Sequence, residues 1–438
     1  MKTRAILLAA AVIVGPSAAV QAQTTAPPLP VQAPLRLDTL ERDTLARHPD
    51  VIGATAAVEA ARARARQAGL WPNPMIGLDG EDLRTEEAKY GVFVEQEIPL
   101  GGRLAAGRRA VLADVDRLEA DRERVIAGVR ARLRTAWYSA LVANRRVEVL
   151  DTVARLSVEA VEITEQLFNT GAADRPDVLE SEVEAGRARI ALAAARNDLV
   201  AAARRLSAAS GDPSLEGAAA AGSIDTPAPE LQRDATIQRI LTASPRVLTA
   251  RAAAQAMEAR VQVARRLMSP ELQLRGGAAW RRNESNDRPG RDGWIGSFEA
   301  GITLPIFNRN QGGIAAALAD QRVAAAELSR LELDLHADAH QTFADYLTAL
   351  RAAEEYRNTL LPRAEEAYRL YLARYREMAA AYPQVLIAQR SLMQLTQEYL
   401  AHAEQLWRSV VQLETLLAGP PPAERASSTV QAGSGGGH

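Results

Sequence analysis

Between Gly101 and Asn169 the chain holds no proline, and apolar residues recur at every seventh position: Ile126, Leu133, Ala140, Val147, Ala154, Val161 and Phe168. A second row, Val142, Val149, Leu156 and Ile163, runs beside it. The pattern predicts one helix over about residues 101–169, roughly 100 Å long at 1.5 Å per residue, and a seven-residue repeat held this long imposes supercoiling. A matching series, Leu347, Glu354, Leu361, Tyr368 and Tyr375, lies 207 residues downstream of Ala140, Val147, Ala154, Val161 and Phe168, with Glu354 its one polar member. A second long helix is therefore expected over about 312–376, presenting the equivalent face. Shorter helices are expected after each, over about 175–210 and 382–418.

Ahead of each long helix the period drops from seven to two. Tyr90, Val92, Val94 and Ile98 alternate with Gly91, Phe93, Glu95 and Glu97, after a partner run from Met75 to Glu81. Leu272, Leu274, Gly276, Ala278 and Trp280 alternate with Gln273, Arg275, Gly277, Ala279 and Arg281; Trp294, Gly296, Phe298, Ala300, Ile302 and Leu304 do the same with Ile295, Ser297, Glu299, Gly301 and Thr303. Strands are expected over about 73–82, 89–98, 270–281 and 293–304. One face is apolar, the strands end near Trp or Tyr, and charges sit on the other face, which is the pattern of a membrane-spanning barrel strand. A single such strand reads more readily as part of a half-buried sheet in a soluble protein; four matched ones in a secreted, heptad-rich chain favour the barrel. Glu95, Glu97, Gln273, Arg275 and Glu299 would then line the lumen. Four strands cannot close, because open edges in lipid leave backbone groups unpaired at several kcal/mol each and the smallest barrels use about eight. Several chains must share one barrel, and three would give about twelve strands with room for a lumen.

The two halves are copies. Pro49 and Pro245 are 196 residues apart, as are Pro74 and Pro270, whereas Pro99 and Pro305 are 206 apart and Pro176 and Pro383 are 207 apart. Each copy reads helix, two strands, long helix, turn, helix, the first over 37–210 and the second over 234–418. A linker over 211–233 joins them, and the tail 419–438, with Pro420-Pro421-Pro422 and a Gly-Ser end, reads as disordered.

Composition places the chain. Lys2 and Arg4 precede an apolar run from Ala5 to Val14 and a small-residue end at Val20-Gln21-Ala22, so residues 1–22 read as a secretory signal cut before Gln23, followed by a proline-rich segment 23–36. The run is about half of the ~20 residues a spanning helix needs. No cysteine occurs, so neither a disulfide nor a lipid on a cysteine is expected. With 52 basic and 54 acidic residues, no nucleic acid is expected as a partner. Aromatics are only 4%, as suits thin helix–helix seams rather than one thick core.

The strand-to-helix junctions, Ile98-Pro99-Leu100-Gly101-Gly102-Arg103 and Leu304-Pro305-Ile306-Phe307-Asn308-Arg309-Asn310-Gln311-Gly312-Gly313, end each strand at a proline and pivot on glycines into a helix. With the duplicated pattern, they make the chain similar to the TolC-type outer-membrane factors, in the CzcC-like and CusC-like branch associated with resistance-nodulation-division (RND) efflux pumps. The resemblance spans about Leu37 to Leu417. It implies a mainly α fold with transmembrane β structure: a homotrimer whose twelve-stranded outer-membrane barrel, four strands per protomer, continues into a long periplasmic α-helical barrel. It also implies a passive conduit, no enzyme, that meets a periplasmic adaptor (membrane fusion) protein and, through it, an inner-membrane pump. Heavy metal cations are one cargo the branch suggests. A type I protein secretion channel and a non-conducting periplasmic coiled-coil spacer are the alternatives.

The turns farthest from the strands carry the remaining expectations. The resemblance implies adaptor contact at Asn169, Thr170, Gly171, Asp174, Glu377, Met378 and Tyr382, and an acidic aperture near Asp-Val-Leu-Asp in the second copy. Here that run is Gln384-Val385-Leu386-Ile387, while the first copy keeps Asp177-Val178-Leu179-Glu180, so an acidic ring would come from Asp177 and Glu180, with Gln384 opposite. The same two carboxylates suit a helix start on dipole grounds alone. Gly171 can supply a positive φ and Asp174 can cap the following helix. His336 and His340, four apart on a helix, are two ligands without a third, so no metal site or cofactor is expected, and no nucleophile triad or phosphate loop occurs.

Overall fold

The computed structural model describes residues 35–81, 88–215, 220–281, 293–379 and 381–418. The signal segment 1–22, most of the proline-rich segment 23–36, the polar turns inside each strand pair and the tail 419–438 lie outside the described residues. The chain order is α1 (Leu37–Arg47), α2 (Pro49–Gln67), β1 (Met75–Glu81), β2 (Lys89–Pro99), α3 (Arg103–Asn169), α4 (Arg175–Ser210), α5 (Arg233–Ala243), α6 (Pro245–Arg266), β3 (Glu271–Arg281), β4 (Gly293–Thr303), α7 (Gln311–Glu355), α8 (Leu361–Arg376) and α9 (Tyr382–Leu417). The mainly helical fold with four antiparallel strands agrees with the sequence reading. Where one leading helix is expected in each copy, two occur, broken at His48-Pro49 and Ser244-Pro245, because a residue before proline is held out of the helical region.

All four strands form one antiparallel sheet in the order β1-β2-β3-β4. The central pair joins the two copies: Tyr90 lies opposite Trp280 and Ile98 opposite Leu272. Outside the sheet, α3 packs along α2 and α4 of its own copy and along α6 and α9 of the other, whereas α7 packs along α6 and α9 of its own copy. The widest core lies midway along the helices, where Leu133, Ile240, Val247, Leu335 and Leu413 are fully buried and Tyr138 stacks on Trp407. Residues 220–232 lie against it: Trp407 donates to the Ile224 carbonyl (3.2 Å), Tyr346 to that of Pro229 (2.6 Å), Arg357 to that of Asp225 (2.8 Å) and Tyr399 to the Asp225 carboxylate. Arg134 bridges Glu41 (2.9 Å) and Glu414 (2.5 Å), tying α1 and α9 to α3.

The long helices depart from expectation in two respects. The second long helix runs from Gln311 to Arg376, as expected over about 312–376, but is not α throughout: a π-helical turn, Tyr356–Leu360, lies between α7 and α8, and the Leu361 N–H bonds back five residues to Tyr356. Pro362, with no N–H and a ring that crowds the carbonyl four residues before it, follows at once. The turn also takes up the residue by which the copies differ. Above it the buried rows match at an offset of 206, Val129, Leu133, Trp137, Ala140 and Ala143 against Leu335, Ala339, Phe343, Tyr346 and Ala349, whereas the tip turns match at 207. A π turn holds one residue more than an α turn, so the extra residue is absorbed without rotating everything below. The faces are not equivalent near the tip either. Phe168 is exposed while α3 buries Ala160, Thr164 and Leu167, and α8 buries Tyr368, Leu372 and Tyr375. A straight helix drifts about 20° per heptad from a seven-residue row, so the row that is buried at Leu133 has turned outward by Phe168.

Candidate functional site in the sheet and at the helix tips

The sheet is divided by parity. The nine charged residues of the four strands, Asp79, Glu81, Lys89, Glu95, Glu97, Glu271, Arg275, Arg281 and Glu299, are all odd-numbered, and the pairing sets odd against odd in every ladder. They therefore share one face. The even face holds no charge and exposes Ile76, Leu78, Tyr90, Val92, Val94, Trp280, Trp294, Phe298 and Ile302. Trp280 and Trp294 meet edge to face at 5.8 Å at the far end of the sheet. A face of this size and apolarity is a lipid face, with aromatic residues at its rim.

On the charged face the structure gathers Glu95, Glu97, Gln273, Arg275 and Glu299, and adds residues the sequence reading had not chosen. Lys89 lies 3.4 Å from Asp79 and 3.4 Å from Glu81. Arg275, although opposite Glu95 and Glu299 in register, turns to Asp79 (3.9 Å) and sets its guanidinium 3.7 Å over the Phe93 ring. The Phe93 ring lies across its neighbour on β1 because that residue is glycine: a Cβ on Gly77 would come within 2.4 Å of the ring. Glu271 pairs with Arg103 of α3. Glu95, Glu97 and Glu299 pair with no cation among the described residues, and six acids against three bases leave the face net negative. Parity, read along β1 and from the start of β2, was the signal that could have found Asp79, Glu81 and Lys89.

At the other end, both interhelical turns close with the same backbone motif. The Gly171 N–H bonds to Phe168 and that of Ala172 to Leu167; 207 residues on, Met378 bonds to Tyr375 and Ala379 to Arg374. Gly171 takes φ +77° and Met378 φ +57°, so a methionine occupies the left-handed position that glycine fills in the first copy. Asn169, Thr170, Gly171, Asp174, Glu377 and Met378 are exposed. Tyr382 is not: at 2% exposure it packs against Tyr375 (5.7 Å between rings) beneath Leu167 and Tyr368, so it belongs to the tip core rather than to a docking surface. Its hydroxyl is pushed up in pKa by burial, with Glu180 and Glu184 adding to the effect. Asp174 holds the N-cap position of α4 but makes no side-chain capping bond, which corrects the role expected of it.

Asp177 and Glu180 are half-buried and Gln384 is exposed. Glu180 lies 3.6 Å from Arg390 of α9, which reaches Glu184 at 2.5 Å, so the first-copy carboxylates are partly answered by a cation from the second copy. Deeper in the seam, Gln389 donates to Ser157 (2.6 Å) and Tyr375 to Thr164 (3.2 Å), both buried. The His336 and His340 rings are 4.6 Å apart, but Asp334 is taken by Arg330 (2.8 Å) and Asp338 by Arg246 (3.1 Å). No group of three or more His, Cys, Asp or Glu able to hold a metal occurs among the described residues.

A two-faced sheet with open ends, carried on paired helices of 67 and 36 residues, defines an outer-membrane channel with a long periplasmic body. The chain belongs to the outer membrane efflux protein family, whose model matches residues 40–212 and 236–419, one stretch for each copy. Channels of this TolC-type family are not enzymes. Among curated proteins the chain is similar to the cobalt-zinc-cadmium resistance protein CzcC of Cupriavidus metallidurans, 27% identical over 355 residues, 80% of this chain and 82% of that protein. It is 28% identical over 306 residues to the nickel-cobalt-cadmium resistance protein NccC of Alcaligenes xylosoxydans xylosoxydans, 68% of this chain and 67% of that one. Among solved structures, the outer-membrane channel OprN superposes with a TM-score of 0.72 at 21% identity, over 88% of this chain and 90% of that one.

Proposed function

We propose that three copies of this chain close a twelve-stranded barrel and form the exit duct of a tripartite RND-type efflux system, conducting metal cations passively outward. The observation that carries the reading is the four-stranded sheet with an apolar, exposed even face and a charged odd face. Its outer strands β1 and β4 each have one edge without a ladder partner among the described residues, and in hydrocarbon such an edge needs another chain. A cation cargo is supported by the net negative odd face, by the unpaired Glu95, Glu97 and Glu299, and by the metal-resistance names of the two curated relatives. A periplasmic adaptor would meet the exposed turn residues Asn169, Thr170, Gly171, Asp174, Glu377 and Met378, and the inner-membrane pump would act through it. Asp177, Glu180 and Gln384 would border the aperture, with Arg390 restraining Glu180.

Planar bilayers test both levels. Steps of conductance with a reversal potential favouring K⁺ over Cl⁻ are expected, and Glu95→Gln with Glu299→Gln should move that potential toward zero. A purified trimer that inserts without conducting would end the channel reading; one that prefers Cl⁻ would end the cation reading alone. Gene disruption should sensitise the cell to divalent metals and leave protein secretion intact.

A further inference from the structure

Directly beneath the sheet, the ends of α2, α3 and α6 and the approach to α7 carry a concentration of arginine that the proposed conduit does not use. Residues 60–74, 99–113, 259–270 and 304–319 hold ten arginines and no Asp or Glu. Three are paired elsewhere: Arg62 with Glu119, Arg103 with Glu271 and Arg260 with Asp114. The other seven, Arg64, Arg66, Arg108, Arg109, Arg265, Arg266 and Arg309, are exposed and meet no carboxylate among the described residues. The helix dipole accounts for the four in the last turns of α2 and α6. It does not account for Arg108 and Arg109, which lie in the second turn of α3 beyond its reach, or for Arg309 just ahead of α7, where it favours acids.

The same level carries exposed apolar residues. Leu70 and Trp71 follow Arg66, Leu267 and Met268 follow Arg266, and Ile306 and Phe307 precede Arg309; Phe307 is 91% exposed. Leu304 continues the even, lipid-facing row of β4 down to them. The arginines are anchored rather than loose: Arg266 donates to the Gly101 carbonyl (3.1 Å), Arg309 to that of Ile306 (3.1 Å), and the Arg108 stem fills the space where a Cβ on Gly69 would come within 3.1 Å.

An aromatic and aliphatic rim bordered by unpaired guanidinium groups fits a surface that offers hydrocarbon on one side and phosphodiesters on the other. We propose that this belt binds the headgroups of anionic phospholipids in the leaflet nearest the helices, guanidinium to phosphate, and so sets the depth of the channel in the membrane. The inference rests on the outer-membrane reading and not on conduction. Planar guanidinium forks suit phosphate oxygens, and cationic side chains beside an anionic lipid surface gain about 1 kcal/mol each, a factor of roughly five.

The test is lipid competition on the full-length protein reconstituted in mixed bilayers, reading the immobilised fraction of spin-labelled phosphatidylglycerol against phosphatidylcholine. A roughly five-fold or greater preference for phosphatidylglycerol at low salt, shrinking severalfold as salt screens it, is expected. The triple variant Arg108→Gln/Arg109→Gln/Arg309→Gln, which leaves four of the seven arginines, should lower the preference severalfold, and the matching Lys triple should keep most of it. Equal retention of the two lipids by the unaltered protein would overturn the proposal, as would a preference unchanged by the Gln triple or by salt. If the Gln triple does not insert, the salt titration of the unaltered protein decides. Stronger retention of lipid A than of phosphatidylglycerol would also overturn it, by placing the belt at the opposite leaflet. Conductance recorded in the same membranes reports separately on the channel.

Discussion

Met378 and Gly171 stand at the same place in two copies of one turn, and only one of them is suited to it. A left-handed conformation costs a non-glycine residue about 1 kcal/mol or more, so Met378→Gly should raise thermal stability of the extracted protein by about that amount. Gly171→Ala should lower it similarly, and through the backbone alone, since nothing lies within 4 Å of the added carbon. Strain retained on an exposed side chain at the tip accords with a contact role for Met378, and loss of adaptor binding in Met378→Gly alongside higher stability would separate the two. Tyr368 gives a second residue-scale test. Its buried hydroxyl has no hydrogen-bond partner among the described residues, and burial pushes its pKa up to about 12 from 10.0. A tyrosine raised in the folded state contributes stability fully below pH ~10 and loses it as pH rises through ~12, because the unfolded chain releases the proton first. Tip packing should therefore weaken between those values, as read by circular dichroism, and Tyr368→Phe should narrow that loss while adding about 1 kcal/mol at neutral pH.

At the scale of elements, the duplicated spacing already located strands, long helices and turns, because period two, period seven and the proline positions are properties of the chain itself. The π turn at Tyr356–Leu360 was legible only as a number, the step from 206 to 207 in the offsets between copies. Where the extra residue goes depends on which faces α9 holds fixed above and below, and that is a packing question. Deleting Asn358 should convert the π turn to an α turn and leave Tyr368, Leu372 and Tyr375 in the seam, whereas inserting one alanine after Arg363 should rotate the rest of α8 by about 100° and carry those residues out of it. The insertion should cost several kcal/mol, with protease cutting in the tip turns, and the deletion little. Pro362→Ala, which leaves the residue count alone, should be tolerated.

For the whole molecule, the consequential arrangement is β2 against β3, strands separated in the chain by α3 to α6, whose register with that of the two outer ladders sets every strand charge on one face. The sequence reading placed Glu95, Glu97, Gln273, Arg275 and Glu299 together because alternation alone requires it. Asp79 and Lys89 obey the same alternation, but the ring of Phe93 seated over Gly77, and an arginine turned from its register neighbours onto it, exist only once three strands are side by side. Gly77→Ala should lift that ring from beneath Arg275 and change single-channel conductance more than it changes stability. Tyr382 failed as a contact for the complementary reason: its position in the chain is at the tip, and its side chain is under it. Hydrophobic period and proline spacing by themselves determined the order of elements, the two-faced strands and the need for further chains, since these follow from backbone geometry and from unpaired edges. Tertiary structure alone decided which charges are answered and which stand open, where the extra residue is stored and which tip residues reach solvent, because each depends on distances between segments that the chain brings together only by folding.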